Sequence, residues 1–400
     1  MKKKILITGA VVLVAAAVIL GFVLKNQVRE NTDSTAVNVD IGQWDTTQNE
    51  SQNYWNPDNH AVAKGMGGYY FIQTTDGISK IAFFDETTQE AVAVCAKPEC
   101  THSDNTCNAY LCDMKQTGSA LYLTDTIYCY NGYLYLIQCE GGMGKLVRIH
   151  TDGSARETVA DLFANTGVSS ISLVFHDNDV YAYDDTGHAG QEEEAEEVIK
   201  KISLTDGTEQ TVFSYTGTGA SIDRGRSFGD KLYFVIREYT KNKETKAVSS
   251  DYKGLFEYDF ATGDTRKVID ADVCDYHADT ENQTLFYFVQ GTGLYAYDMT
   301  QGSNTLIYPA EDELIQCKMS YDGKNLYLFN NGAGRATETK ARTQRYCYVL
   351  DTKGNQIAKI LCNGVVYFGD TDYLFEENAD NLEYMKKENL SDKSEWILIN

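Results

Sequence analysis

The chain has 400 residues, including 28 Tyr, 16 Phe and only 3 Pro, and its formal net charge at pH 7 is -23. Many aromatic residues, few prolines and only one short acidic run exclude a largely disordered chain and indicate a strand-rich protein. The strong negative charge makes nucleic acid and anionic surfaces poor partners.

The first segment predicts a membrane anchor. Three lysines at residues 2–4 precede an uncharged, mainly apolar run at residues 5–24. At about 1.5 Å per residue, this run matches the roughly 30 Å of a bilayer's hydrocarbon core. A cleavable signal peptide has a shorter apolar region and a small-residue cleavage site, whereas this run passes directly into Lys25. We expect an uncleaved transmembrane signal anchor, with residues 1–4 in the cytoplasm and the C-terminal part outside the cell membrane.

A repeated unit follows a polar segment. Residues 25–60 are rich in Asn, Asp, Thr and Gln, and we interpret them as a spacer between the membrane and the folded part. From there to residue 400, a turn followed by a short aromatic strand occurs seven times. The copies lie at residues 68–71, 132–135, 179–181, 231–233, 284–286, 325–327 and 372–374. Their spacing of 41 to 65 residues is inside or near the range of propeller blades.

Each repeat contains four predicted strands. A short apolar strand precedes the aromatic one, and a second hairpin follows it. The turns of this hairpin contain Asp or Gly, which supply the geometry of tight turns, at residues 150–153, 204–207, 259–263, 298–302 and 351–354. The sequence therefore predicts an all-β fold, a seven-bladed β-propeller at residues 61–400. A six-bladed ring with one irregularly packed end unit is the alternative.

The connections between strands predict where a binding site lies. In a propeller, the first-to-second and third-to-fourth connections share one face, and here these are short. The long insertions fall in the other connections, at residues 95–118, 184–197, 241–254 and 330–342. We expect binding at the face that carries them, because variable loops on a rigid scaffold are where sites are built. The acidic run from Glu192 to Glu197 is expected in an exposed loop, whereas acidic pairs such as Asp370 and Asp372 are assigned to turns.

The most specific motif lies in the first insertion. Its sequence from Cys95 to Tyr110 is C-A-K-P-E-C-T-H-S-D-N-T-C-N-A-Y. It resembles the C-x-K-P-x-C-x-H-x4-C-N-A-Y segment of membrane-anchored or lipidated propeller proteins exported by clostridial bacteria, whose blades are like those of TolB and the low-density-lipoprotein receptor. This resemblance implies a propeller fold and a surface location, and it implies no activity.

The same segment offers ligands for a metal. Cys95, Cys100, His102 and Cys107 could close a tetrahedral structural zinc site. The alternatives are disulfides among Cys95, Cys100, Cys107 and Cys112, or free thiols. Under either of the first two interpretations the residues staple a long interblade loop. A closed four-ligand site leaves no position for a substrate, so a catalytic metal is not expected.

Three classes of function remain. The leading interpretation is a non-enzymatic binding or sensing module at the cell surface, with a protein or glycan ligand. The others are an extracellular enzyme acting on glycans or peptides, and a structural partner of another envelope protein. Carboxylates clustered with a basic residue in the central channel would favour the enzyme. No catalytic motif or cofactor-binding motif is found in the sequence.

Overall fold

Seven antiparallel sheets follow one another along the chain, and each is built from consecutive strands. The computed structural model describes residues 48–55, 61–113, 121–122, 126–164, 171–184, 194–241, 248–330, 344–378 and 381–399. All of them belong to one unit, Ile41–Asn400. The seven sheets confirm the prediction of a seven-bladed propeller, and we call them blades 1 to 7 in chain order. Among the described residues no helix is both long and apolar enough to span a bilayer, and the predicted anchor at residues 5–24 lies outside them.

The strands of the seven blades have the following bounds. Blade 1 contains β1 (Val62–Gly65), β2 (Gly68–Thr75), β3 (Ile78–Asp85), β4 (Ala91–Ala93) and β5 (Tyr110–Asp113). Blade 2 contains β6 (Leu121–Tyr122), β7 (Tyr128–Tyr130), β8 (Tyr133–Glu140), β9 (Met143–His150) and β10 (Arg156–Ala164). Blade 3 contains β11 (Ile171–His176), β12 (Asp179–Asp184), β13 (Glu194–Ser203) and β14 (Glu209–Thr218). Blade 4 contains β15 (Ala220–Phe228), β16 (Lys231–Lys241), β17 (Val248–Asp259) and β18 (Thr265–Ile269).

The last three blades have four strands each. Blade 5 contains β19 (Val273–Asp279), β20 (Thr284–Val289), β21 (Gly293–Asp298) and β22 (Ser303–Pro309). Blade 6 contains β23 (Lys318–Tyr321), β24 (Asn325–Phe329), β25 (Arg345–Asp351) and β26 (Gln356–Cys362). Blade 7 contains β27 (Val365–Tyr367), β28 (Tyr373–Asn378), β29 (Asn381–Lys386) and β30 (Ile397–Leu398). We call the side of the first-to-second turns the turn face, and the side of the second-to-third connections the loop face.

Burial decreases from the first strand of a blade to the fourth. Every residue of β15 and β19 is buried, whereas most residues of β18 and β22 are exposed. The first strands of successive blades also contact one another. The first strands therefore surround the centre of the ring, and the hydrophobic core lies between neighbouring blades.

The Asp and Gly residues of the third-to-fourth turns determine the shape of each turn and let it pack closely against the preceding blade. Asp259 accepts hydrogen bonds at Oδ1 from the backbone N–H groups of Ala261 and Thr262, each at 2.8 Å. At the equivalent turn of blade 6, Gly354 has a φ of 84°. A Cβ there would lie 1.9 Å from the carbonyl oxygen of Ile307, in the fourth strand of blade 5. Glycine is needed because the turn bears directly on the preceding blade.

Two of the predicted insertions are shorter than expected. Strand β13 begins at Glu194, so the acidic run is not confined to a loop, and Glu197 is buried in the sheet. Strand β17 begins at Val248, which leaves residues 242–247 to join it to β16. Both corrections have one cause. Polar and charged residues form backbone pairs as readily as apolar ones, so β13 continues alongside β14 and β17 continues alongside β16.

Side chains alone close the ring between blades 7 and 1. Each sheet contains strands from one stretch of the chain, so among the described residues no strand is shared between the two ends. The junction is a hydrophobic cluster that includes Tyr69 and Phe84 of blade 1, Phe375 and Tyr384 of blade 7, and Trp55. Trp55 is 2% exposed and packs against Tyr69 and Phe375, with ring centroids 6.2 and 5.8 Å away.

Trp55 is the last residue of a segment that lies against the inner strands of blades 3, 4 and 6. This channel segment, residues 48–55, contains a short helix α1 (Gln48–Ser51) and a 3-10 turn (Gln52–Tyr54). Its hydrogen bonds include Gly229 N to Glu50 Oε1 (2.8 Å), Phe175 N to Gln52 Oε1 (2.9 Å), Asn53 Nδ2 to Ser227 O (2.5 Å) and Ser320 Oγ to Tyr54 O (3.1 Å). These partners lie in blades 3, 4 and 6, near the turn face. Residues 48–55 are therefore part of the folded unit, and the predicted spacer does not extend through them.

We expect Trp55→Ala to lower the free energy of unfolding by about 3–5 kcal/mol, because it removes a large buried side chain shared by blades 1 and 7. The measurement is denaturant-induced unfolding of the purified full chain. Met66→Ala is the matched control in the same region, since Met66 is 98% exposed, and its effect should stay within about 0.5 kcal/mol. Equal effects of the two substitutions would contradict the role of Trp55 in ring closure.

Candidate metal centre

The cysteine loop, residues 95–109, is inserted in the outermost strand of blade 1. Strands β4 and β5 both pair with β3. Val94 N donates to Ile81 O at 3.0 Å, and Ile81 N donates to Ala109 O at 2.9 Å. Both ends of the loop thus meet at Ile81, and the strand resumes where it was interrupted. The prediction that this loop joins two blades is wrong, because the connection to blade 2 begins only after β5.

The loop packs on the third-to-fourth turn of blade 2. Asn108 Nδ2 donates to the carbonyl oxygens of Gly153 and Ser154, at 2.8 and 3.1 Å. Arg156 Nη1 donates to Tyr110 O at 2.7 Å. Burial lowers the pKa of Arg156 to about 10, so the group stays charged at neutral pH. The loop therefore links blades 1 and 2 at the rim of the ring.

The structure brings the four predicted ligands together. The Sγ atoms of Cys95, Cys100 and Cys107 and a ring nitrogen of His102 all lie within 4.8 Å of one another. His102 Nδ1 is 3.4 Å from Cys107 Sγ. The backbone of Glu99 and His102 has positive φ values of 65° and 55°, which turns the chain sharply on both sides of Cys100. The convergence thus depends on two tight turns within eight residues.

Hydrogen bonds within the loop hold this shape. Asp104 Oδ1 accepts from the N–H and the hydroxyl of Thr106, at 2.9 and 2.6 Å. Cys107 N donates to Asp104 O at 3.1 Å, and Lys97 N lies 3.5 Å from Cys95 Sγ. Backbone N–H groups directed at thiolate sulfur are a common surrounding of thiolate ligands, whose charge they stabilise.

The thiols differ in their environment. Burial raises the pKa of Cys107 to about 11, and the neighbouring thiols of Cys95 and Cys100 add to this shift. The backbone N–H of His102 lowers the pKa of Cys100, with smaller contributions from the other two thiols and Lys97. A bound cation would favour the thiolate form of all three, because metal binding releases the protons that the thiols otherwise share.

The donor set fits zinc in a structural role. Three thiolates and one imidazole are a common set of ligands for tetrahedral zinc, with Zn–S distances of about 2.3 Å. Such a site places its sulfur atoms about 3.8 Å apart, so the present group needs only a small contraction. Cys112, the fourth cysteine of the motif, lies on β5 with its side chain buried, outside this group. All ten cysteines are described, and none of them forms a disulfide.

A buried ion pair at the centre of the ring was missed by sequence reasoning. Arg226 and Asp275 are 1% and 0% exposed, with Nη1 and Oδ1 2.7 Å apart. Arg226 Nη2 also donates to Met319 O, and Asp275 Oδ2 accepts from Met319 N, both at 2.7 Å. The pair joins the first strands of blades 4, 5 and 6. Both charged groups bind neighbouring strands, so this cluster holds the first strands together at the centre of the ring.

No protein-family model matches this chain, and neither does any curated protein. Among solved structures, the chain is similar to an oligogalacturonate lyase in complex with manganese, with 12% identity, a TM-score of 0.48, and 83% of this chain and 86% of that chain covered. TolB from Acinetobacter baumannii has 12% identity, a TM-score of 0.40 and coverage of 80% and 77%. BamB from Moraxella catarrhalis has 13% identity, a TM-score of 0.39 and coverage of 81% and 94%. Likenesses of this size say nothing of activity.

We expect purified protein to contain about one zinc ion per chain and His102→Ala to lose it, since a tetrahedral site needs all four ligands. Cys112→Ala is the matched control and should keep the metal. The measurement is elemental analysis together with intact mass after thiol alkylation. Disulfides predict the reverse: no zinc, a mild effect of His102→Ala, and thiols that alkylate only after reduction.

Proposed function

We propose that the chain is a membrane-tethered, cell-surface propeller that binds a protein partner at its loop face, without catalysis. One observation carries this proposal. Three second-to-third connections are long, at residues 185–193, 242–247 and 331–343, whereas those of blades 1, 2, 5 and 7 contain two or three residues. The described strands that flank all three insertions end at the loop face, where a rigid ring can support variable segments.

Charge supports a basic partner. Glu194 and Glu196 are exposed on β13, directly after the first of these insertions, and Asp251 is exposed near the second. The whole chain carries a net charge of -23. A partner with a basic surface would therefore be attracted to this face, and the encounter rate would fall as salt increases.

The zinc site has a supporting role in this proposal. Bound by Cys95, Cys100, His102 and Cys107, the ion fixes a loop at the junction of blades 1 and 2 and leaves no coordination position for a substrate. The metal stabilises the scaffold at the rim, while the loop face binds the partner.

The tether is tested by fractionation of cells that express the full chain. If residues 5–24 are an uncleaved anchor, the protein should pellet with membranes, resist an alkaline carbonate wash, and keep its N-terminus in the intact mass. Replacing two central apolar residues by lysine, Val14→Lys with Val18→Lys, should move it out of the membrane fraction. A mature chain that begins beyond residue 24 would contradict the anchor.

Partner binding is tested by site-specific photo-crosslinking on intact cells. A photo-reactive residue at Glu194 and, separately, at Asp251 should give the same crosslinked product, because both positions lie on the loop face in neighbouring blades. Thr300, exposed at a third-to-fourth turn on the opposite side, is the matched control and should not give it. Equal crosslinking from Thr300, or unrelated products from Glu194 and Asp251, would overturn the proposed face.

A further inference from the structure

A polar cavity of about 380 Å³ opens on the turn face, opposite the face proposed to bind a partner. It lies where blades 6, 7 and 1 meet. Its lining includes Asp322 and Tyr327 of blade 6, and Asp372, Tyr373 and Lys387 of blade 7. This volume lies within the range of pockets that hold small molecules.

Lys387 forms the floor of this cavity. Its side chain is only 4% exposed, and its Nζ lies 4.1 Å from the centroid of the Tyr327 ring. Its backbone N–H donates to Asp372 O at 2.8 Å, which fixes the position of the residue. Lysine is seldom buried unless it is paired, so the groups around this ammonium group indicate which ligand it can bind.

The carboxylate beside Lys387 is already occupied. Asp322 Oδ1 accepts from the N–H groups of Lys324 and Asn325, at 3.0 and 2.7 Å, and Oδ2 accepts from the Tyr327 hydroxyl at 2.7 Å. Lys387 Nζ lies 3.6 Å from Oδ2, which is longer than an N–H···O hydrogen bond. Asp322 therefore pairs with the ammonium group while its oxygens already accept three shorter hydrogen bonds.

The second nearby carboxylate is engaged in the same way. Asp370 Oδ2 accepts from the Tyr69 hydroxyl at 2.8 Å and pairs with Lys64 at 3.2 Å. Its Oδ1 accepts from the N–H groups of Asp372 and Tyr373, at 2.9 and 3.2 Å. Burial lowers the pKa of Lys387 to about 8 against the opposing effect of Asp322 and Asp370, so the group is still mainly charged at pH 7. A charged lysine thus lines this cavity, while the two carboxylates beside it already accept other hydrogen bonds.

The mouth of the cavity carries both signs of charge. Lys324 and Lys386 are exposed there, as are Asp372 and Glu388. The two acidic side chains can accept hydrogen bonds from a ligand that carries donors of its own. A purely anionic ligand would be repelled by these carboxylates at the entrance. A ligand with both an anionic group and a hydrogen-bond donor is complementary to Lys387 at the floor and to the carboxylates at the mouth.

We propose that this cavity binds a small organic carboxylate with a neighbouring amino or hydroxyl group, its carboxylate on Lys387 and its donor group on Asp372 or Glu388. Amino acids and sugar acids share this chemistry. Displacing water from the ammonium group by a carboxylate forms a charge-assisted hydrogen bond in a site of reduced solvent access. This inference does not depend on the partner proposed for the loop face, since none of the cavity residues lies on that face.

The test is equilibrium binding to the full chain, using the common amino acids, gluconate and galacturonate as probes, with inorganic phosphate and glucose beside them. Saturable binding of an amino acid or of a sugar acid supports the proposal and identifies which of the two occupies the site. Binding of phosphate or glucose alone, or of no probe, would overturn it.

Two variants locate the binding. Lys387→Met should weaken binding by about 10- to 100-fold, the loss expected for one charge-assisted hydrogen bond. Lys393→Met is the matched control, at an exposed position of the same blade outside the cavity lining, and should change affinity by less than about threefold. Because Lys387→Met leaves Asp322 without its counter-charge, Lys387→Met with Asp322→Asn removes both charges and should show the same loss in a folded protein. Undiminished binding to this double variant would overturn the assignment of Lys387.

Discussion

Every blade of this protein has to cover both faces of its sheet with its neighbours, and the first and last blades are no exception. Other rings of this kind can meet the requirement with a sheet that contains both chain ends, but here the two end sheets are each complete. The ring depends instead on one cluster of side chains between blades 7 and 1, in which the rings of Trp55, Tyr69 and Phe375 all contact one another.

The centre of the ring is held by polar contacts rather than by apolar packing alone. Arg226 and Asp275 bind each other and the backbone of a third blade, while the channel segment bonds to the first strands near the turn face. Buried polar groups are costly unless they are satisfied, so each such contact favours one relative position of the blades over others. These contacts therefore favour one arrangement of blades 3 to 6 around the centre of the ring.

The sequence predicts the repeats well, because an aromatic strand after a turn and Asp or Gly in the next hairpin are local signals. It also predicts Cys95, Cys100, His102 and Cys107 as one group, since they lie within 13 residues. It does not reveal that this loop interrupts a strand, because a strand that stops at Val94 and resumes at Tyr110 has the pattern of two strands joined by a connection. Nor does it reveal Lys387, whose neighbours Asp322 and Asp370 are distant in the chain.

Ring closure also determines when this protein can finish folding. The Tyr69 hydroxyl donates a hydrogen bond to Asp370, which is 301 positions away in the chain. Trp55 likewise packs against Phe375 of blade 7, the last blade to be synthesised. Contacts this distant in sequence form slowly, and a chain synthesised or exported from its N-terminus must hold six blades with two uncovered sheet faces until blade 7 arrives. The aromatic surface that later seals the ring is, during that interval, the surface most prone to aggregate. A chaperone that covers these two sheet faces until blade 7 has folded would therefore reduce aggregation.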